Sequence, residues 1–231
     1  LIGIVSYKQM RDRPGITLMS DIASALRGEL GTTVAGHAKG VFISFEGGEG
    51  SGKSTQSKLL KEYLESQGHV VTLTREPGGT KLGKDLREIL LHTHDHVSPR
   101  AEALLYAADR AHHVETLIRP ALDRGEIVIT DRYLDSSIAY QGAGRVLSPG
   151  EVGRISRWAT ESLIPTLTII IDLPAEIGLS RLKSRDRLES ESTTFHERVR
   201  QEFLSLALLD PERYLVVDGR ESIEDINIAI V

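Results

Sequence analysis

The sequence contains no cysteine, a single tryptophan and only 5% aromatic residues. Without cysteine there is no disulfide framework and no thiolate nucleophile or metal ligand, which fits a reducing compartment. No apolar run approaches the roughly 18 residues of a membrane-spanning helix, and no signal-peptide pattern is visible. The chain is therefore read as soluble and cytoplasmic. Positive charge is also short: 28 Lys and Arg against 33 Asp and Glu give a net −5. That balance argues against a nucleic-acid footprint, so a small anionic ligand needs a local basic site. What is present is ordinary for a globular protein, 231 residues with 40% hydrophobic and 26% charged content, enough for one domain with a sizeable core.

The most informative stretch is VFISFEGGEGSGKST, residues 41–55. The pattern G-x-x-x-x-G-K-[ST] is met by Gly47, Gly52, Lys53 and Ser54, with residues 41–46 reading as a strand before it and 55–67 as a helix after it. Gly47, Gly48, Gly50 and Gly52 free the backbone to turn its N–H groups inward around phosphate oxygens. The helix N-terminus adds unpaired donors and partial positive charge. In such a loop Lys53 reaches the β- and γ-phosphates, and the Ser54 hydroxyl sits on Mg²⁺.

Residues 1–39 differ in character. An apolar LIGIV (1–5), a charged turn (8–15) and an amphipathic helix (19–31, Ser20 as N-cap, Gly31 as stop) lead into a small, polar linker at 31–40. The expectation is an N-terminal extension and linker over 1–39, either an ordinary extension or the tail of a preceding fused domain, with a separate domain over 40–231. Within that domain, strands are predicted at 69–74, 126–133, 167–174 and 213–218. Helices are predicted at 81–91, 98–123, 149–162, 175–183, 192–209 and 222–231. In the long helix Leu104, Leu105 and Ala108 are placed on the core face and Tyr106, Asp109 and Arg110 on another, while Trp158 is read as core. His92, His94 and His96 read as a solvated loop rather than a metal site, and His112 and His113 likewise.

Several polar groups fall where ligands collect, at the carboxyl ends of strands. Arg75 leaves the second strand in REPGGT. Asp131 and Arg132 end the third, where a carboxylate orients Mg²⁺ and a fixed guanidinium binds phosphate oxygens. Ser136, Ser137, Tyr140 and Gln141 follow as lining for a small polar pocket. Tyr106 and Arg110, four apart, can hold a flat base. Arg181, Lys183, Arg185 and Arg187 form a basic cluster that reads as a lid closing over phosphates.

Taken with TREPGGT, LLYAADRAHH, DRYLDSSIAYQG, DRLE and YLVVDG, the P-loop makes nearly everything from Gly40 onward resemble the thymidylate kinases of the nucleoside monophosphate kinase group. The alternation of strands and helices predicts an α/β fold, a five-stranded parallel sheet covered by helices on both faces. The resemblance implies three-layer P-loop kinase architecture, transfer from ATP and Mg²⁺ to dTMP giving dTDP for dTTP synthesis, and a homodimer. ATP then falls to Gly47, Gly48, Glu49, Gly50, Ser51, Gly52, Lys53, Ser54 and Thr55 with Arg181 and Arg185 of the lid, and the metal to Ser54 and Asp131. Lys53, Asp131, Arg132 and Arg187 are the implied catalytic set. On the acceptor side, Arg75 takes the phosphate and Tyr106 stacks on thymine, where the family usually has Phe. Arg110 and Ser137 address the base edge, Tyr140 packs on the deoxyribose, and Glu49 lies near the sugar and phosphate, with Arg132, Ser136 and Gln141 completing the pocket. Between Arg181 and Asp186 the lid is a few residues shorter than the family's usual one. A kinase for another nucleoside monophosphate, or an inactive nucleotide-binding module of a fused protein, are the competing readings.

Overall fold

The computed structural model describes residues 40–93, 95–145 and 147–231. The expectations for residues 1–39 and for His94 lie outside the described residues. Among those described, β1 (Val41–Glu46), β2 (Val71–Arg75), β3 (Ile127–Asp131), β4 (Leu167–Asp172) and β5 (Tyr214–Asp218) form one parallel sheet in the order β2-β3-β1-β4-β5. Period-two alternation sorts their side chains between two faces. Val41, Ile43, Phe45, Ile127, Ile129, Ile169 and Ile171 pack on Leu60 and Leu64 of α1 (Lys53–Ser66) and on Ile226 and Ile230 of α9 (Ile223–Ile230). Burying each such leucine or isoleucine contributes roughly 2 kcal/mol.

The opposite face carries Phe42, Val128 and Ile170, and it is covered by the remaining layer. That layer contains α2 (Lys81–His92), α3 (Pro99–His113), α4 (Arg119–Asp123), α5 (Leu134–Ser137), α6 (Pro149–Ala159), α7 (Ala175–Ser180) and α8 (Thr193–Leu209). This side is unusually polar inside: Ser44 meets Thr168 at 2.9 Å across neighbouring strands, and Glu46 is fully buried. The predicted three-layer α/β sheet is what forms, and the ligand crevice falls where the order reverses beside β1.

Three local expectations are corrected. In α3 the buried face is Glu102, Ala103, Tyr106, Ala107, Asp109, Arg110 and His113, whereas Leu104 is 57% exposed and Ala108 faces out. The helix buries its polar face because that face has partners waiting inside. Trp158, placed in the core by pattern, is 82% exposed on α6, whose inner face is Val152, Gly153, Ser156 and Ala159. β3 ends at Asp131 rather than Tyr133, because Arg132 takes a left-handed φ of 72° and leaves the sheet.

Candidate active site

From β1 the chain turns through residues 47–52 into α1. Gly47, Gly50 and Gly52 hold φ of +135°, +63° and +100°, open to glycine at little cost. A Cβ on Gly50 would lie 2.1 Å from the Gly178 carbonyl oxygen, so the loop rests directly on α7. Lys53 folds back into the loop, its Nζ donating to the carbonyls of Gly47 (3.1 Å) and Gly48 (2.7 Å). Burial, and then the positive Arg132, bring its pKa down from the usual lysine range to about 8. Ser54 donates its hydroxyl to the Asp131 carboxylate, and both lie at the carboxyl edge of the sheet. Arg75 is the strand partner of Asp131 at that edge and is exposed.

Arg132 sits at the junction. Its left-handed backbone, a conformation costing on the order of 1 kcal/mol or more for such a residue, is held by its own N–H donating to Phe45 O at 2.9 Å. One end of the guanidinium, Nη1, donates to Gly47 O of the P-loop and to Ser136 Oγ, both at 3.1 Å. The other, Nη2, reaches Glu49 Oε1 at 2.7 Å and Tyr140 Oη at 3.2 Å. Burial alone would push Glu49 up, but Arg132 and then Lys53 outweigh it and hold the carboxyl down at about 2. Behind them Glu46 accepts from the backbone N–H of Tyr133 (2.8 Å) and Ser136 (3.3 Å) and from Ser136 Oγ (2.6 Å). It thereby ties the end of β1 to the first turn of α5.

A cavity beside this junction is lined by Glu49, Tyr106, Arg110, Arg132, Ser136, Ser137, Tyr140 and Gln141, together with Pro77, Arg87, Asp186, Leu188 and Glu189. Ser137 closes α5, and Tyr140 and Gln141 lie on the π-helical turn Ile138–Gly144. Arg110 is 1% exposed and largely committed: Nε to Glu76 Oε2 at 2.7 Å, Nη1 to Ser156 Oγ, Nη2 to Tyr133 O and Ser137 Oγ. His113 is fully buried, bridging Glu76 Oε1 (2.9 Å) and Thr74 Oγ1 (2.8 Å). Asp109 accepts from the Gly78 N–H at 3.4 Å, and burial followed by the charge of Glu76 raises its pKa to about 6. Asp109, Arg110 and His113 thus grip the REPGGT loop that carries Arg75. A larger groove of about 550 Å³, lined by Val114, Arg119, Arg157 and Trp158 among others, shares no lining residue with this cavity.

The arginines expected to form a lid divide. Arg181 donates to Gly50 O of the P-loop and to Gly219 O, which holds it at the loop, while Arg185 donates to Leu179 O of α7. Arg187 instead turns to α2 and α3, with Nε on Leu90 O at 2.8 Å and Nη2 on Glu102 Oε2 at 2.6 Å. In this conformation it is a structural tie, and the implied catalytic arginine does not face the P-loop. Gln141 also gives its Nε2 to Glu102, at 3.0 Å.

A family model described as thymidylate kinase matches residues 45–230. The chain belongs to the thymidylate kinase family. A thymidylate kinase of Clavibacter michiganensis subsp. michiganensis is 61% identical over 195 residues, covering 83% of this chain and 92% of that protein. One from Clavibacter sepedonicus is 63% identical over 184 residues, covering 78% and 87%. Among solved structures, the crystal structure of thymidylate kinase from Ehrlichia chaffeensis aligns with a TM-score of 0.69 at 33% identity, over 83% of this chain and 96% of that one.

For a chain of the thymidylate kinase family, the donor side fits a triphosphate and its cation. Among the described residues Lys53 has only loop oxygens as partners, and the hydroxyl and carboxylate of Ser54 and Asp131 are the hard oxygen ligands Mg²⁺ takes. Pattern reasoning missed Glu46, Glu76 and Glu102, and its reading of His113 as solvated is corrected, since that ring is fully buried. A signal existed for His113, which follows Asp109 by four and Arg110 by three and so shares their helix face.

Proposed function

We propose that the chain transfers the γ-phosphoryl group of ATP to dTMP, giving dTDP and ADP, with the donor on the P-loop and the acceptor in the Tyr106 cavity. The observation that carries this reading is the position of Arg132. Its fork joins the P-loop, through Gly47 O and Glu49 Oε1, to the cavity wall, through Ser136 Oγ and Tyr140 Oη. A group so placed neutralises charge as it passes between donor and acceptor, and phosphoryl transfer asks for positioning and positive charge more than for covalent chemistry. Lys53 leaves its two carbonyls to hold phosphate oxygens. Ser54 and Asp131 would hold Mg²⁺, which would supply further positive charge on the phosphates. Arg75, exposed at the sheet edge, takes the acceptor phosphate, and Tyr106 and Tyr140 hold the base and sugar. Glu49, ionised at neutral pH, fixes Tyr140 and Arg132 rather than serving as a base.

Arg181 is assigned to the donor side on the strength of its contact with Gly50 O, and Arg185 with it through α7, on which the loop rests. Arg110, Ser137 and Gln141 build the base end of the cavity. A cytoplasmic homodimer, with residues 40–231 as the catalytic domain, belongs to the same proposal. Leu104 and Trp158, left exposed on the neighbouring helices α3 and α6, offer apolar surface for the dimer contact. The test is ADP release from ATP and Mg²⁺ against dTMP, dUMP, UMP, dCMP and AMP. Strong preference for dTMP is expected; equal rates across the panel, or none above the Lys53→Ala blank, would overturn the assignment.

A further inference from the structure

We propose that Glu102 is a positioning residue that sets the lid-side wall of the acceptor cavity by gathering Arg187, Arg145 and Gln141 onto one buried carboxylate. The inference rests on the acceptor-cavity reading above. Glu102 is fully buried on α3, where an unpaired carboxylate would be very costly. Both of its oxygens are saturated instead. Oε1 accepts from Gln141 Nε2 (3.0 Å) and Arg145 Nε (3.2 Å), and Oε2 from Arg145 Nη2 (3.2 Å) and Arg187 Nη2 (2.6 Å). Hydrogen bonds to ionised partners are the strong class, and here they come from two segments far apart in sequence. Burial works against ionisation, but Arg145 and Gln141 outweigh it and hold the carboxyl below its ordinary range.

Each tie has a consequence in the cavity. Arg187 is fastened three times, through Oε2 of Glu102, through its Nε on Leu90 O, and through its backbone N–H on Leu91 O at 3.2 Å. Its neighbours Asp186 and Leu188, with Glu189, are the lid residues that line the cavity. Where Arg187 is pinned, that wall is pinned. Arg145 extends the clamp by pairing its Nη1 with Glu191 beyond the wall. Because an ionised carboxylate only accepts, the Gln141 amide must present its NH₂ to Glu102, which leaves its carbonyl oxygen as the end free to accept from an acceptor base. Glu102 also lies one turn from Tyr106, the ring proposed to stack on that base.

The experiment compares Glu102→Gln, Arg187→Gln and the double variant by steady-state kinetics, thermal melting and limited trypsin digestion. Expected for each single variant is a KM for dTMP raised about tenfold, a KM for ATP within about twofold, and faster cleavage after Lys183 or Arg185 at temperatures well below melting. The double variant should be no worse than either single one, as for residues acting as a unit. Wild-type trypsin resistance in Glu102→Gln together with an unchanged KM for dTMP would overturn the proposal. So would additive losses with Arg187→Gln lowering kcat, the mark of an arginine on the transferring phosphate. Should Glu102→Gln fail to fold, Arg187→Gln and Arg145→Gln, altering half-buried partners, carry the same comparison. The digestion readout needs no turnover, so failure of the dTMP assignment in the wild-type enzyme is distinguishable from failure of the clamp.

Discussion

Tyr140 donates its phenol to Glu49 Oε1 at 2.7 Å, and the same oxygen takes Arg132 Nη2 at 2.7 Å. The aromatic ring is thus fixed at its polar tip by the P-loop acid, and its face lies under the Arg132 guanidinium, 4.9 Å from the ring centroid. A ring held at both ends cannot move aside for an extra hydroxyl. Tyr140→Ala should therefore relax discrimination against a ribose acceptor, lowering the deoxy/ribo ratio of kcat/KM by about tenfold. Tyr140→Phe keeps the ring but frees its tip, and should lower the ratio by a smaller factor. Competition between dTMP and its ribonucleotide counterpart checks both, and an unchanged ratio in the alanine variant removes Tyr140 from this role.

Lys53 offers a test through its proton. With its pKa held at about 8 in the unliganded loop, a bound phosphate must raise it, so ATP binding near pH 8 should take up about half a proton. ATP affinity should then weaken as pH rises from 8 towards 10. Calorimetry in two buffers of different ionisation enthalpy measures the uptake, and its absence would place the phosphates elsewhere. Lys53→Ala should lower kcat by about a hundredfold or more with the melting temperature preserved.

Glu46 should be visible in the pH dependence of stability. Burial first, and the nearby charge of Asp135 second, raise its pKa from 4.5 to about 7. A folded-state pKa above the unfolded one means that its contribution is fully present below pH 4.5 and is lost as pH rises to 7, up to about 3 kcal/mol. Glu46→Gln can still accept from Tyr133 and Ser136 N–H while its amide donates to Ser136 Oγ. The wild type should therefore lose stability relative to this variant between pH 5 and 7.5, read from urea midpoints. Parallel curves would show that Glu46 does not titrate in that window.

Trp158, the single tryptophan, is a built-in reporter. At 82% exposure its emission should be that of a water-exposed indole at high dilution. If the α3 and α6 surface is the dimer contact, the emission should shift to the blue as concentration rises, in step with the mass seen by sedimentation. Dimerisation with no shift would move the contact to another face.

The parts legible in the sequence were those where the local pattern and the chemistry coincide. The P-loop announces itself because its glycines, lysine and serine have fixed places in a strand-turn-helix, and Asp131 and Arg132 because they end a strand. The α3 face was misjudged because pattern reasoning assigns apolar residues to the core, whereas Glu102, Asp109, Arg110 and His113 go inside to meet partners from distant segments. Those partners, Glu76, Arg145 and Arg187, lie from 34 to 85 residues away, a separation that no periodicity encodes. Trp158 failed for the complementary reason: its size suggested core, but Val152, Ser156 and Ala159 fill the inner face of α6 without it.

The strand order also fixes when the protein becomes competent during its own synthesis. β1 and the P-loop leave the ribosome early, yet Arg132, which bridges the loop to the acceptor side, follows β3, some 85 residues later. β4, the other neighbour of β1, pairs Thr168 with Ser44, 124 residues apart. The loop's resting surface, Gly178 on α7, comes later still. A nascent chain therefore displays the complete P-loop motif well before the residues that Arg132, β4 and α7 bring to it have been made.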